Sequence, residues 1–204
     1  MKKQPIDKLV YERACLSRGA KFIAGVDEVG RGPLAGPVVC AAVIMPLDEA
    51  LIIEGVDDSK KLSEKKRETL DKLIRERALY LSVFEVDEKR IDEINILQAT
   101  REGMKNALLN LPIAPDVVLT DGNMTLDIPF AQQSIVKGDA LSYSIGAASI
   151  VAKVYRDRKM VEYAKEYPAY GFDRNKGYGT AEHIGAIKEL GLCPIHRRTF
   201  TKNF

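Results

Sequence analysis

The sequence predicts an α/β protein, on two observations. Short apolar runs of strand length alternate with longer stretches whose apolar residues recur at helical spacing. Three of those runs lead into acids: Asp27-Glu28 after the first, Asp121 after another, and Asp139 after a third. In open α/β sheets, functional groups gather at strand ends, where the loops converge.

Taken in order, Ile6, Leu9, Val10 and Ala14 predict an amphipathic helix over 5–18, stopped by Gly19. Phe22, Ile23, Ala24 and Val26 predict a first strand, followed by a turn carrying Asp27 and Glu28. Gly30-Arg31-Gly32-Pro33-Leu34-Ala35-Gly36-Pro37 is turn chemistry, since Gly tolerates positive φ and Pro fixes it. The continuous apolar run 38–44 reads as a buried strand. A polar loop over 57–61 precedes a helix over 63–77, and 80–86 alternates like a strand. Asp87 is placed to cap one long helix through Leu111, which Pro112 and Pro115 end. Short strands follow over 117–119 and 131–136.

A helix over 140–166 is rich in small residues, which suits close packing on a sheet. Pro168, Gly171 and the KGYGT segment break it, and a last helix over 180–190 stops at Gly191. With no repeats or linkers, 1–204 is expected to be one domain with a helical C-terminal part from about 168.

Composition sets bounds. A net charge of +2 is too small to announce a nucleic-acid partner, so any basic footprint must be local. Cys15, Cys40 and Cys193 have no C-x-x-C spacing, which suggests a reducing compartment and buried thiols. The charged N-terminus has no signal-peptide core and no run suits a membrane helix, so a cytoplasmic location is expected.

Burying carboxylates at the end of an apolar strand is costly unless a cation or strong donors compensate. Several acids meeting at one sheet edge suit hard divalent ions with all-oxygen ligands, Mg2+ or Mn2+. His183 and His196 lie in a different setting, so a histidine-based zinc site is not expected. No phosphate-binding loop, dinucleotide fingerprint or nucleophile elbow is present. Spacing alone leaves structural turns open: Asp121 suits a turn, and Asp139 suits a helix cap.

The segments GVDEVGRGPLAGPVV, DDSKKLSEKKRE, INILQAT, PDVVLTDGN, KGDALSYSIGAASIVAKVYRD, YGFDRNKGYGTAEH and PIHRRTF span nearly the whole chain. In that order they resemble the bacterial type 2 ribonuclease H family, ribonuclease HII. The resemblance implies a ribonuclease H-like α/β fold, with a five-stranded mixed sheet flanked by helices and a helical C-terminal extension. It implies a metal-dependent endonuclease that cuts the RNA strand of RNA–DNA hybrids. It also implies incision at ribonucleotides embedded in duplex DNA, leaving 3′-hydroxyl and 5′-phosphate ends. The four acidic residues expected to be catalytic and to hold two Mg2+ or Mn2+ ions fall on Asp27, Glu28, Asp121 and Asp139. The junction-reading turn falls on Gly30, Arg31 and Gly32, with Tyr178 as its aromatic partner. The expected partners are RNA–DNA hybrids and ribonucleotide-containing duplex DNA, bound by a monomer.

Two positions depart from the family pattern: Asn175 stands where histidine is common, and Gly103 where alanine is common. Both are expected to bear only on fine details of substrate contact.

These roles make physical sense. The 2′-hydroxyl distinguishes RNA from DNA, and a glycine turn without Cβ atoms lets the main chain approach a sugar. Tyr178 is suited to lie against the neighbouring deoxyribose, or else to be an ordinary half-buried aromatic. Ser59, Lys60 and Lys61 are suited to bind phosphates, or else to form a solvated loop. Lys153, Arg156 and Asp157 suit helix-face ion pairs. Two other readings compete: a different two-metal nuclease or recombinase of the same fold, and a catalytically silent hybrid-binding module.

Overall fold

The computed structural model describes residues 7–203. Strands β1 (Ile23–Val29), β2 (Val38–Ile44), β3 (Tyr80–Val86), β4 (Val117–Asp121) and β5 (Ala131–Ile135) form one mixed sheet in the order β3-β2-β1-β4-β5. The first three pair antiparallel, while β4 lies parallel to β1 and β5 parallel to β4.

Side-chain alternation along β2 explains the layers. Cys40, Ala42 and Ile44 pack on Met104, Ala107 and Leu108 of α3 (Glu88–Leu109). Val39, Ala41 and Val43 pack on the other face, against α2 (Glu64–Arg77) and α5 (Tyr143–Glu166). A strand covered on both faces has no polar side, which is why 38–44 is an unbroken apolar run. The small residues of α5 bring it onto β1 as expected. A Cβ at Gly25 would fall 2.1 Å from the Ser144 carbonyl carbon.

Several elements differ from the sequence expectation. Asp27 and Glu28 lie inside β1, not in the turn after it. The ladder with β2 continues past them, pairing Asp27 with Ala41, Glu28 with Cys40 and Val29 with Val39. The helix expected over 140–166 is broken at Ser142. A single turn, α4 (Gly138–Leu141), ends there in extended backbone, and the Ser142 hydroxyl caps α5 by accepting from the Ile145 N–H. The long helix after Asp87 is kinked at Asn95 (φ 65°, ψ 163°). The Asn95 side chain accepts from the N–H groups of Leu97 and Gln98 and so caps the second segment.

Near the N-terminus, α1 runs over Val10–Leu16, and Pro5 and Ile6 of the expected helix lie outside the described residues. Its Glu12 is fully buried and accepts from the Ser142 hydroxyl (2.6 Å) and the Ser144 N–H (2.9 Å). A carboxylate there complements the positive end of α5. At the other end of the chain, α6 (Phe172–Asn175) and α7 (Ala181–Leu190) pack through Phe172 and Ile187 onto Met160 of α5, together with Ala35 and Ile195. This small core sits directly under the glycine turn.

Candidate active site

The sheet topology brings the acids to one end of the sheet. Asp27 and Glu28 stand near the C-terminal end of β1, and Asp121 closes the parallel neighbour β4. Asp139 follows β5 in α4. Two main-chain N–H groups join the last two strands' acids, because the Asp121 carboxylate accepts from Gly138 (2.6 Å) and Asp139 (3.3 Å).

Asp27 is buried and faces α5. Burial, then the charges of Glu28 and Asp121, push its carboxyl well above the usual range. A hydrogen bond from Ser149 and the Glu28 N–H (2.8 Å) work in the other direction. Burial raises Glu28 as well, against the pull of Arg31, whose guanidinium lies 3.5 Å from it. Asp139 is raised by burial, Asp121 and Asp58. Lys60 completes the set: burial opposes its charge, yet Asp27, Asp139, Asp58 and Glu28 hold it above its ordinary value.

The donor set is all carboxylate oxygen, crowded enough that like charges resist ionisation. That chemistry fits a hard divalent cation. Among the described residues, no three such side chains already stand together as metal ligands. Asp27 and Asp121 each accept from main-chain N–H groups, and Glu28 lies beside Arg31.

Beside the acids, the glycine turn is clamped by two buried arginines. Arg197 donates to the carbonyls of Gly30 (2.6 Å), Arg31 (3.0 Å) and Gly36 (2.9 Å). Arg156 donates to Pro37 (2.9 Å), Ala35 (3.1 Å) and Lys176 (2.9 Å). The last of these ties the turn to the KGYG segment, as does the Leu34 N–H on the Gly177 carbonyl (2.8 Å). The half-exposed Tyr178 ring therefore lies beside Gly32, where a Cβ would stand 3.7 Å from its Cε1.

The family model described as ribonuclease HII matches residues 24–203. The chain belongs to the ribonuclease HII family. It is 57% identical to a ribonuclease HII of Acetivibrio thermocellus over 98% of this chain and 77% of that one. It is 55% identical to that of Caldicellulosiruptor bescii, over 94% and 92%. Among solved structures it resembles ribonuclease H2 from Pyrococcus horikoshii OT3, with a TM-score of 0.75 and 31% identity over 89% of this chain and 94% of that one. Bst-RNase HIII in complex with Mn2+ shares the fold, with a TM-score of 0.67 at 20% identity over 87% and 65%. As a ribonuclease HII, the chain is an endoribonuclease that acts on RNA–DNA hybrids. Among the described residues, no helix is long and apolar enough to cross a membrane.

Within this ribonuclease HII, some expected site residues sit otherwise than sequence suggested. Ser59 is buried and its hydroxyl meets that of Ser149 at 2.9 Å, so the loop offers Lys60 and Lys61 to solvent but not the Ser59 side chain. Arg156 is no helix-face pair; the i,i+4 pair is Lys153–Asp157 (2.7 Å). Neither of the two family departures lies at the surface. Asn175 bridges the Tyr170 carbonyl (2.7 Å) and the Gly177 N–H (2.8 Å), shaping the turn before Tyr178. At Gly103, a Cβ would fall 2.7 Å from the Cys40 sulfur, so glycine here fits the cysteine facing it.

Sequence reasoning missed Arg197 and Arg156 as the clamp, and Ser149 as a partner of Asp27. Arginine gives no pattern for main-chain carbonyl partners, since any residue supplies one.

Proposed function

We propose that this ribonuclease HII is metal-dependent and incises at single ribonucleotides in duplex DNA as well as in hybrids. In this reading Asp27, Glu28, Asp121 and Asp139 hold two Mg2+ or Mn2+ ions, and cleavage leaves 3′-hydroxyl and 5′-phosphate ends. The observation that carries it is the crowding of carboxylates at one sheet end, with Asp27 and Asp139 raised in part by Asp121. Divalent ions bound there supply an activated water and stabilise the leaving oxygen. Mn2+ is also the ion in the Bst-RNase HIII complex.

The chain's own residues orient the substrate. Main-chain groups of Gly30, Arg31 and Gly32, fixed by Arg197, approach the ribose and test its 2′-hydroxyl. Tyr178, adjacent to Gly32, lies against the deoxyribose across the junction. Lys60 and Arg31, the cations nearest the acids, are placed to take phosphates. A monomeric, single-domain protein suffices, since every part of this site comes from one chain.

The test compares a duplex containing one ribonucleotide with a continuous hybrid. Exhaustive chelation is expected to silence both cleavages, and Mg2+ or Mn2+ to restore them. Tyr178→Ala is expected to impair the embedded substrate far more than the hybrid. Full activity after chelation overturns the metal role, and equal losses on both substrates overturn the junction role of Tyr178.

A further inference from the structure

The KGYG segment is anchored from below by a pair of histidines that the mechanism above does not use. His183 and His196 are both buried, thirteen residues apart, and their Nε2 atoms meet at 3.0 Å. The His183 Nδ1 atom lies 2.9 Å from the carbonyl oxygen of Tyr178. At the far end, the Cys193 N–H points at His196 Nδ1 from 2.9 Å, with the Cys193 sulfur 3.1 Å and the Cys193 carbonyl oxygen 3.2 Å away. The imidazoles are walled in by aromatic rings: Phe172 is edge-on to His183 at 5.3 Å, and Tyr170 to His196 at 5.1 Å.

With both rings neutral and the shorter contacts satisfied, one proton assignment holds, and the longer contact of His196 Nδ1 with the Cys193 carbonyl goes without a proton. A carbonyl oxygen can only accept, so His183 Nδ1 carries a proton. In neutral rings the His183 Nε2 is then bare and must accept from His196 Nε2–H. That leaves His196 Nδ1 bare, as the Cys193 N–H directed at it requires. Burial favours the neutral forms, lowering His183 and taking His196 down to about 4.

We infer that His183 and His196 are positioning residues for junction recognition: a one-directional hydrogen-bond chain from Cys193 through both rings fixes the Tyr178 main chain, and hence the angle at which its ring meets the sugar. The Tyr178 carbonyl also accepts from the Thr180 N–H (2.8 Å), so the chain supplies the second of two anchors. This inference rests on the junction role proposed for Tyr178.

The test uses the full chain and two substitutions of similar size. Asparagine sets its amide nitrogen where His Nδ1 stands, whereas glutamine reaches the Nε2 position. His183→Gln should lower the ratio of embedded-ribonucleotide to hybrid cleavage about fivefold, the effect of losing one hydrogen bond. His183→Asn should recover most of that ratio. In a Tyr178→Ala background, His183→Gln should change the ratio no further. Equal behaviour of the two substitutions, or an undiminished effect without the tyrosine ring, would overturn the inference.

Nitrogen-15 spectra of the unmodified protein test the chain even if the variants fail to fold. Protons on His183 Nδ1 and His196 Nε2 support it, and a His183 protonated at Nε2 refutes it. An unchanged ratio in Tyr178→Ala alone would instead strike the junction reading while leaving the spectra as they are.

Discussion

Replacing Asp27 by asparagine should make the metal-free protein more stable while removing its activity. Asp27 is 5% exposed, and its charge is opposed first by burial and then by Glu28 and Asp121. Asparagine keeps the shape and can still accept the Glu28 N–H. The substitution therefore removes repulsion and desolvation without orphaning that donor, a gain on the order of 1–3 kcal/mol.

For a chain of this size, that gain raises Tm by about 2–4 °C per kcal/mol. The sign with pH follows from the raised carboxyl. The folded protein binds the Asp27 proton more tightly than the unfolded chain does. Wild-type stability therefore falls as pH rises from about 4, the ordinary value, through the elevated folded one. The advantage of asparagine should thus vanish in acid and be full once Asp27 ionises.

The assay is thermal unfolding in chelator across that range, repeated with Mg2+, which should raise Tm of the wild type alone. Cleavage by the variant should fall by about 10²-fold or more. A variant no more stable than wild type in chelator above neutral pH would refute the electrostatic account of the site.

Gly30 and Gly32 of the turn should separate in a urea titration. Gly30 has φ +93°, and a Cβ there would fall 2.2 Å from Arg156 Nε, so Gly30→Ala should lose about 1–3 kcal/mol from strain, with the clash adding to it. Gly32 has no positive φ and only the Tyr178 ring near it, so Gly32→Ala should stay within about 0.5 kcal/mol of wild type. Equal losses would mean that the turn is not held as described. Gly103→Ala should cost about 1–3 kcal/mol by overpacking against Cys40, and Cys40→Ala should recover part of that in the double variant. Additive losses in that cycle would show that the two positions do not share space.

The strand run 38–44 was legible because burial on both faces leaves an unbroken apolar pattern. That Asp27, Glu28, Asp121 and Asp139 gather at one end of the sheet was legible because carboxylates beside such apolar strands demand compensation. The placement of Asp27 and Glu28 within β1 was not, since a ladder's length depends on its partner strand and not on the residue type. Nor was the break at Ser142, where a serine among small residues gives no warning that its hydroxyl caps a new helix. Gly32 illustrates a different limit: glycine in a turn suggests unusual backbone, yet of Gly30 and Gly32 only Gly30 carries the positive φ, and a Cβ at Gly32 would make no more than ordinary contact with the Tyr178 ring.

The arginine clamp has a consequence for how the molecule is made. The carbonyls that Arg197 holds lie 161 to 167 positions earlier in the chain. The five strands and all four acids lie within residues 23–139, so a growing chain carries the complete sheet well before Arg197 is added. Contacts so distant in sequence form late, after the loop between them has been closed. The carboxylate end of the sheet can therefore assemble while the glycine turn still lacks its clamp. The turn proposed to tell ribose from deoxyribose is then among the last parts of the nascent protein to be fixed.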